Sequence, residues 1–499
     1  MQDEPVLRKR CRMAPIGLCL LMGFTMVHFF AQGTSLLRRD SYCWDSGLFQ
    51  TIGMLWAEGL VPYKQAFDHK GPLLFLIQRI AYAFADPQLV LFLLESLFVS
   101  AALYLCYQTI RLRTAAVPAM AGTALCALFW LPVLEYGNLS EEYSLPFVLL
   151  ALYVQLRWMR REQPEHPWQG ALVYGLCFGA TLMIRPNNGA LIAAVTGVIT
   201  IALALRGQWK NILVNAVALL AGVLLAVLPF VAYFAAKGAL EDFLYGVWTF
   251  NLKYIAFTGG GRGDAWRGIV FFTTPALLCL GAGAGCLLRR RWLMAAILLV
   301  GAAATMAVTL SGTFYAHYFM MCVPLIPLGL FGLSGLGEEG RVWRGLAACA
   351  FTLFVLVTAR TSLPIAARTC LAPRTAAEAA QTEAYNEALR SFVSNIPREE
   401  RGNVAVCGLG SADVALFLQT ELRPAGRYIY LLEWHAQADQ TILSQYLRFL
   451  DGREAKWLVL REGVVNEALF QGIQRNYLPG ARCEAGGAVY RLYQVRPPV

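Results

Sequence analysis

Residues 211–236 read NILVNAVALLAGVLLAVLPFVAYFAA, with no charged side chain anywhere in the run. A bilayer core about 30 Å thick is crossed by roughly 20 apolar residues in a helix. This stretch is long enough and apolar enough to span, and it does not stand alone. Comparable runs lie at 14–34, 88–110, 114–134, 144–159, 168–184, 187–205, 268–288, 293–310, 318–336 and 345–362. Eleven candidate spans therefore fill most of residues 14–362. The composition agrees: 57% of the 499 residues are hydrophobic and 15% are charged, against about 25% charged in an ordinary soluble domain. The expectation is a polytopic α-helical membrane protein of about eleven transmembrane helices. A secretory signal is a competing reading of the first run, but no clear small-x-small cleavage site follows Phe30.

Charge tests this threading. With the N-terminus inside, the inner turns carry Arg8, Lys9, Arg10 and Arg12; Arg111 and Arg113; Arg157, Arg160 and Arg161; Arg206 and Lys210; Arg289, Arg290 and Arg291; Arg341 and Arg344. Every inner turn is basic, as the positive-inside rule expects. The outer segments spread Arg38, Arg39, Lys64, Lys70, Arg79, Arg185, Lys237, Lys253, Arg262 and Arg267 over many more residues. Acids take the opposite bias: Asp40, Asp45, Glu58, Asp68, Asp86, Glu135, Glu141, Glu142, Glu241, Asp242 and Asp264 all fall outside. The net charge of +10 is thus explained by topology. No continuous basic stripe outside the spans suggests nucleic acid. The reading is a multi-pass protein of the cell (inner) membrane, N-terminus cytoplasmic and C-terminal region extracytoplasmic.

Two outer loops are long. Residues 35–87 contain amphipathic stretches at Leu48–Trp56 and Leu73–Phe84 that suit the interface plane. Residues 237–267 carry Trp248, Phe250, Tyr254 and Phe257, which suits an interfacial aromatic belt. Beyond residue 365 the composition becomes that of a globular protein, giving domains 1–365 and 366–499. In the second, an Ala-rich amphipathic helix is expected at 374–396. Strands are expected at Asn403–Leu409, Tyr428–Leu432 and Lys456–Leu460, alternating with helices at Ser411–Gln419 and Asp439–Phe449. That pattern implies a small α/β domain with a partly parallel sheet. Gly408-Leu409-Gly410 is an incomplete dinucleotide fingerprint and reads as a tight turn. The thirteen cysteines show no paired metal spacing. Most, such as Cys19, Cys106, Cys126, Cys177 and Cys279, sit in apolar runs, while Cys43, Cys370, Cys407 and Cys483 do not, and any pairing among them is left open.

The densest polar cluster is in the first outer loop: Asp40-Ser41-Tyr42-Cys43-Trp44-Asp45-Ser46-Gly47, Gly59-Leu60-Val61-Pro62-Tyr63, and Phe67-Asp68-His69-Lys70-Gly71-Pro72-Leu73. A carboxylate beside a membrane helix can take a proton from an attacking hydroxyl. A lysine with a histidine can neutralise a phosphate. Structural readings stand beside each. Asp45 also suits a solvated acid or helix N-cap, and Lys70 an interfacial anchor. Glu141 and Glu142 suit ordinary loop acids, Arg185 a snorkelling cation, and His317 a satisfied helix-end histidine. Asn138-Leu139-Ser140 matches a glycosylation sequon. Glu95 lies within a span and suits a hydrogen bond between helices.

These spacings resemble the GT-C superfamily of membrane glycosyltransferases, in particular the bacterial branch with the lipid A aminoarabinose transferase and the protein O-mannosyltransferases. The resemblance covers roughly residues 10–365. Asp45 matches the family's catalytic carboxylate near the start of the first outer loop. His69-Lys70-Gly71-Pro72-Leu73 resembles its Lys-Pro-Pro-Leu-like segment, whose lysine contacts the lipid phosphate, with Gly71 in place of the first proline. Tyr136–Tyr143 resembles the second acidic motif. Arg185-Pro186-Asn187 falls where relatives place a basic residue, and Tyr315-Ala316-His317-Tyr318-Phe319 with Pro324 and Pro327 resembles a late basic-aromatic-proline signature.

The resemblance implies a glycosyltransferase using a polyprenyl-phosphate-linked sugar as donor and a hydroxyl acceptor. It implies Asp45, Glu141 and Glu142 as catalytic residues. Lys70, His69, Arg185, His317 and Tyr318 fall to the lipid phosphate, and Asp68, Asn138 and Asn187 to substrate. No closed ligand set marks a metal; a divalent ion (Mg or Mn) held by Glu141 or Glu142 stays open. Two rivals are a transporter or flippase of lipid-linked sugars and a non-catalytic scaffold. No internal repeat or midplane polar cluster supports the first. The second leaves the ordered acidic and basic motifs unexplained.

Overall fold

The computed structural model describes residues 4–42, 44–161, 163–258, 268–310, 315–372 and 374–497, without the side chains of residues 4–12 and Ala412. Cys43, Arg262, Asp264 and Arg267, and the side chains of Arg8, Lys9, Arg10 and Arg12, lie outside the described part. Among the described residues, eight helices are long and apolar enough to cross a membrane, so the chain is a multi-pass membrane protein. Each of the eleven apolar runs coincides with a helix. Those at Ser140–Arg161, Trp168–Leu182 and Thr274–Leu288 fall outside the eight. The last helix runs Arg341–Leu371, past its expected end at 362, because Pro364 continues the helix instead of stopping it.

The chain divides into two compact units. The first comprises residues 1–31, 92–231 and 260–373. Burial sorts its helices. The window in Ala316–Gly337 is 94% enclosed, whereas those in Trp209–Ala236 and Arg341–Leu371 are only 11% buried. A helix apolar on all sides yet uncovered by protein is one dressed for lipid. Helices Trp168–Leu182 and Trp209–Ala236 cross closely through glycine. A Cβ on Gly175 would collide with the Leu219 carbonyl, and one on Gly222 with the Leu172 carbonyl. Small residues let membrane helices touch backbone to backbone, where no hydrophobic force drives their association.

The second unit comprises residues 32–91, 232–259 and 374–499. The amphipathic stretches of the first long loop form helices Trp44–Ala57 and Pro72–Ala81. The tail begins with helix Ala376–Val393, started by a capping box in which Thr375 and Glu378 satisfy each other's backbone N–H groups. Four strands follow: β1 (Val404–Cys407), β2 (Trp457–Arg461), β3 (Tyr477–Ala485) and β4 (Ala488–Val495), in spatial order β1-β2-β4-β3. β1 and β2 are parallel and the other pairs antiparallel.

Two expectations need correcting. Tyr428–Leu432 is not a strand. Leu431 adopts φ 46° and the segment turns straight into helix Leu432–Ala438, because Tyr428 and Tyr430 turn their side chains onto the first long loop. The β3–β4 hairpin was not anticipated, although Gly486-Gly487 between two alternating runs is its local signal. Phe250 is also no interfacial residue. It lies fully buried with Phe67 in the same apolar cluster as Ala405, Tyr428, Leu458 and Tyr477 of the tail, while Trp248 and Phe257 remain exposed.

Candidate functional site

In the second unit the segment Phe67–Lys70 runs into helix Pro72–Ala81, where Pro72 occupies the first turn and needs no N–H partner. Its backbone is pinned at both ends. Phe67 N–H donates to the Arg427 carbonyl at 2.7 Å, and the Tyr63 hydroxyl donates to the Lys70 carbonyl at 2.7 Å. Asp68 is fully buried. Its Oδ1 accepts the His69 N–H and the Tyr430 hydroxyl, each at 2.6 Å, and lies 3.1 Å from His69 Nδ1. Burial pushes the Asp68 carboxyl upward, but the Lys70 ammonium and His69 outweigh it and hold it well below the usual carboxylate range.

Lys70 Nζ is 3.0 Å from His69 Nε2. An ammonium can only donate, so in this contact Nε2 accepts and a neutral His69 carries its proton on Nδ1, toward Asp68. The His69 ring is walled by Phe250 at 5.6 Å, Tyr254 at 5.5 Å and Trp434 at 6.1 Å, and the Asn251 amide donates to its carbonyl at 2.8 Å. His435 packs behind it, fully buried, with rings of Phe67, Phe250, Tyr430 and Trp434 within 5.1–5.3 Å. Burial first, then the nearby His69, depresses His435 to about 3, so it is neutral at physiological pH.

Asp45 stands in the first turn of helix Trp44–Ala57, half-buried. Among the described residues no hydrogen bond or ion pair occupies its carboxylate, and it acts electrostatically on the buried Tyr430 hydroxyl. Further along, Asp439 accepts from both Tyr245 and Lys253 at 2.6 Å. Burial raises its carboxyl, and these bonds more than reverse that, to about 2.

In the first unit a second cluster forms. Arg185 ends the turn after helix Trp168–Leu182 and pairs with Glu141, which is buried in the first turn of helix Ser140–Arg161. The Arg185 guanidinium lies 4.1 Å over the Tyr318 ring. Asn188 donates to Ser144 Oγ at 2.9 Å, and Glu141, Arg185, Asn188 and Tyr318, with exposed Asn187 and buried Thr309, line a small cavity. His317 donates from Nδ1 to Glu135 Oε2 at 2.7 Å and stacks on Tyr315 at 5.6 Å.

Neighbouring acids take different directions. Glu142 accepts the Leu139 N–H at 2.8 Å and lies against buried Glu95, whose Oε1 takes the Asn138 N–H at 2.9 Å. Asn138 is itself fully buried at φ 56°, its amide oxygen accepting from the Tyr143 hydroxyl at 2.6 Å. Thus Arg185, Glu141, Asn187 and Tyr318 come together, as do Asp68, His69 and Lys70. Glu142 and Asn138 belong to a buried turn.

Sequence reasoning missed Tyr430, Trp434, His435 and Asn251, which carry no local signal of a site. It counted Glu135 only as an outer acid. Among the described residues, no group of three or more His, Cys, Asp or Glu is gathered to hold a metal ion. Glu141 is engaged by Arg185 and Glu135 by His317.

No family profile and no curated protein matches the sequence. Solved structures do. ArnT from Cupriavidus metallidurans, bound to undecaprenyl phosphate, superposes with a TM-score of 0.54 at 13% identity, over 99% of this chain and 98% of that one. The chain has the GT-C fold. The oligosaccharyltransferase of Archaeoglobus fulgidus shares it. Its apo form gives a TM-score of 0.57 at 14% identity, over 90% of this chain and 69% of that one. Its complex with an inhibitory peptide and a dolichol-phosphate gives 0.53 at 13%, over 91% and 70%. With this GT-C fold, both units of the chain have counterparts in one solved protein of nearly the same extent.

Proposed function

We propose that this GT-C chain is a glycosyltransferase that moves a sugar from a polyprenyl-phosphate donor to a hydroxyl acceptor at the outer face of the cell membrane. The observation that carries this reading is the end-to-end match with ArnT, whose solved structure holds undecaprenyl phosphate. The chemistry of the two clusters supports it. A donor of this kind keeps its lipid tail in the bilayer, and its phosphate needs cations at the membrane surface. Lys70, ordered by His69 and Asp68, is one. Arg185, held by Glu141 and stacked on Tyr318, is the other, with His317 beside it. In the charge-based threading all of these belong to outer segments.

In the proposed reaction the Asp45 carboxylate takes the acceptor hydroxyl proton. The acceptor oxygen attacks the anomeric carbon from the face opposite the phosphate. The new glycosidic C–O bond forms as the bond from carbon to phosphate oxygen breaks, and the configuration inverts. The electron pair leaves with polyprenyl phosphate, whose added charge needs a cation where it develops: Lys70 is the candidate in the unit that holds Asp45, and Arg185 the candidate in the other. Glu141 positions the guanidinium, and Asn187 lies beside it for substrate hydroxyls.

Asp45→Asn in the purified full-length protein tests the base. Transfer of radiolabelled sugar from undecaprenyl-phosphate donors is expected to vanish while the thermal midpoint stays unchanged. Wild-type turnover in that variant would refute the assignment. Movement of the labelled donor across vesicles without any transfer product would support the flippase instead.

A further inference from the structure

A second cavity in the first unit belongs to neither cluster. It measures about 370 Å³ and is lined by Arg113, Arg160, Arg291, Phe331, Gly335 and Glu338, among others. Arg160 is in the last turn of helix Ser140–Arg161, whose first turn holds Glu141. At about 1.5 Å per residue those 22 residues separate the cavity from Glu141 by roughly the thickness of a bilayer core. It therefore lies at the other membrane surface, among the basic turns that the charge bias assigns to the cytoplasm.

Three guanidiniums face it, and two of them converge. A Cβ built on Gly335 would lie 3.1 Å from Arg113 Nη1 and 3.2 Å from Arg291 Nη1. The bare glycine leaves room there, and Arg291 Nη1 donates to its carbonyl at 3.0 Å. Like charges brought together repel, and the local acids answer this only in part. Glu338 reaches Arg113 at 3.1 Å but is half exposed, and Glu339 is shared between Arg291 and Arg289. Arg160 is exposed and has no acidic partner among the described residues, and the enclosed Arg113 Nε has no acceptor among them. The Arg113 guanidinium carbon also lies over the Phe331 ring, 4.6 Å from its centroid, which limits the positions the fork can take. Preset guanidinium forks suit the paired oxygens of a phosphate group. Exposed Trp292 at the rim suits the headgroup level of a bilayer.

We propose that this cavity is a binding site for a phosphate group, supplied by an anionic phospholipid of the inner leaflet. Basic pockets between membrane helices on that side are where such headgroups are held. The proposal does not depend on the glycosyltransferase reading.

Native mass spectrometry of the full-length protein in detergent tests it, with phosphatidylglycerol, phosphatidylcholine and inorganic phosphate as probes. Phosphatidylglycerol is expected to be retained and phosphatidylcholine not. Arg160→Gln removes a charge without a structural partner, and Gly335→Leu fills the convergence point while keeping every charge. Each should weaken phosphatidylglycerol binding on the order of tenfold, the loss of one charge-assisted bond. Arg157→Gln, an exposed arginine on the same helix outside the cavity, should change nothing. Inorganic phosphate that binds with the same sensitivity to Arg160→Gln and Gly335→Leu supports the phosphate site and moves its source to water. Wild-type binding of both probes in those two variants, or an equal loss in Arg157→Gln, overturns the proposal.

Discussion

Tyr430 donates its hydroxyl to Asp68 Oδ1 at 2.6 Å across 362 residues of chain. The bond joins the C-terminal tail to the segment that carries Lys70. It ends on a carboxylate buried completely, whose other oxygen has no hydrogen bond among the described residues. Tyr430→Phe keeps the ring and deletes the donor. A hydrogen bond to a charged group contributes about 1.5–3 kcal/mol, so the thermal midpoint of the full-length protein should fall and turnover with it. An unchanged midpoint would mean that the bond does not hold the tail to the loop.

The His435 pocket gives a pH dependence of known sign. Its folded value of about 3 lies below the ordinary 6.5. Between these values the unfolded chain binds a proton that the folded chain refuses. Stability is therefore full above pH 6.5 and falls as the pH drops, by about 1.4 kcal/mol per unit. Between pH 6.5 and 5 that amounts to about 2 kcal/mol. Asp68 does not confuse the measurement, because its carboxyl is depressed and its contribution is lost only below its usual 3.8. His435→Phe should flatten the slope of unfolding free energy over pH 7 to 5. An equally steep slope in the variant would assign the proton uptake elsewhere.

Arg185→Lys separates charge from shape. A lysine keeps the positive charge, but its ammonium cannot present a planar fork to Glu141 and also stack on Tyr318. Turnover with the polyprenyl-phosphate donor should drop about tenfold to a hundredfold, the worth of one charge-assisted bond in the transition state. The midpoint should barely move. Full turnover in this variant would remove Arg185 from the phosphate site.

Asn138 distinguishes architecture from substrate contact. Its left-handed backbone and buried bond to Tyr143 suit an asparagine that shapes the turn before Ser140. Asn138→Ala should destabilise by about 2–5 kcal/mol, from roughly 1–2 of backbone strain and 1–3 of a lost buried bond. Asn138→Gly should recover the strain portion alone. Lost turnover at an unchanged midpoint would identify a substrate ligand instead.

The membrane architecture was legible in the sequence because its causes are local. An apolar run of span length makes a helix in lipid wherever it occurs, since every backbone group must be satisfied within it. The positions of all eleven runs and the amphipathic helices at Trp44–Ala57 and Pro72–Ala81 follow from that rule. So does the grouping of Asp68, His69 and Lys70, which are neighbours along the chain. Only the tertiary structure decided what lies far apart in sequence. Glu141, and not the adjacent Glu142, turns to Arg185; Glu135 is the partner of His317; Tyr430 bonds Asp68; and Trp434 and His435 pack against His69. Even Tyr428–Leu432, which alternates as a strand should, gave up its place in the sheet to contacts with Phe67 and Asp68. Periodicity records which face of a segment is apolar, but which distant segment covers that face is settled only when the whole chain packs.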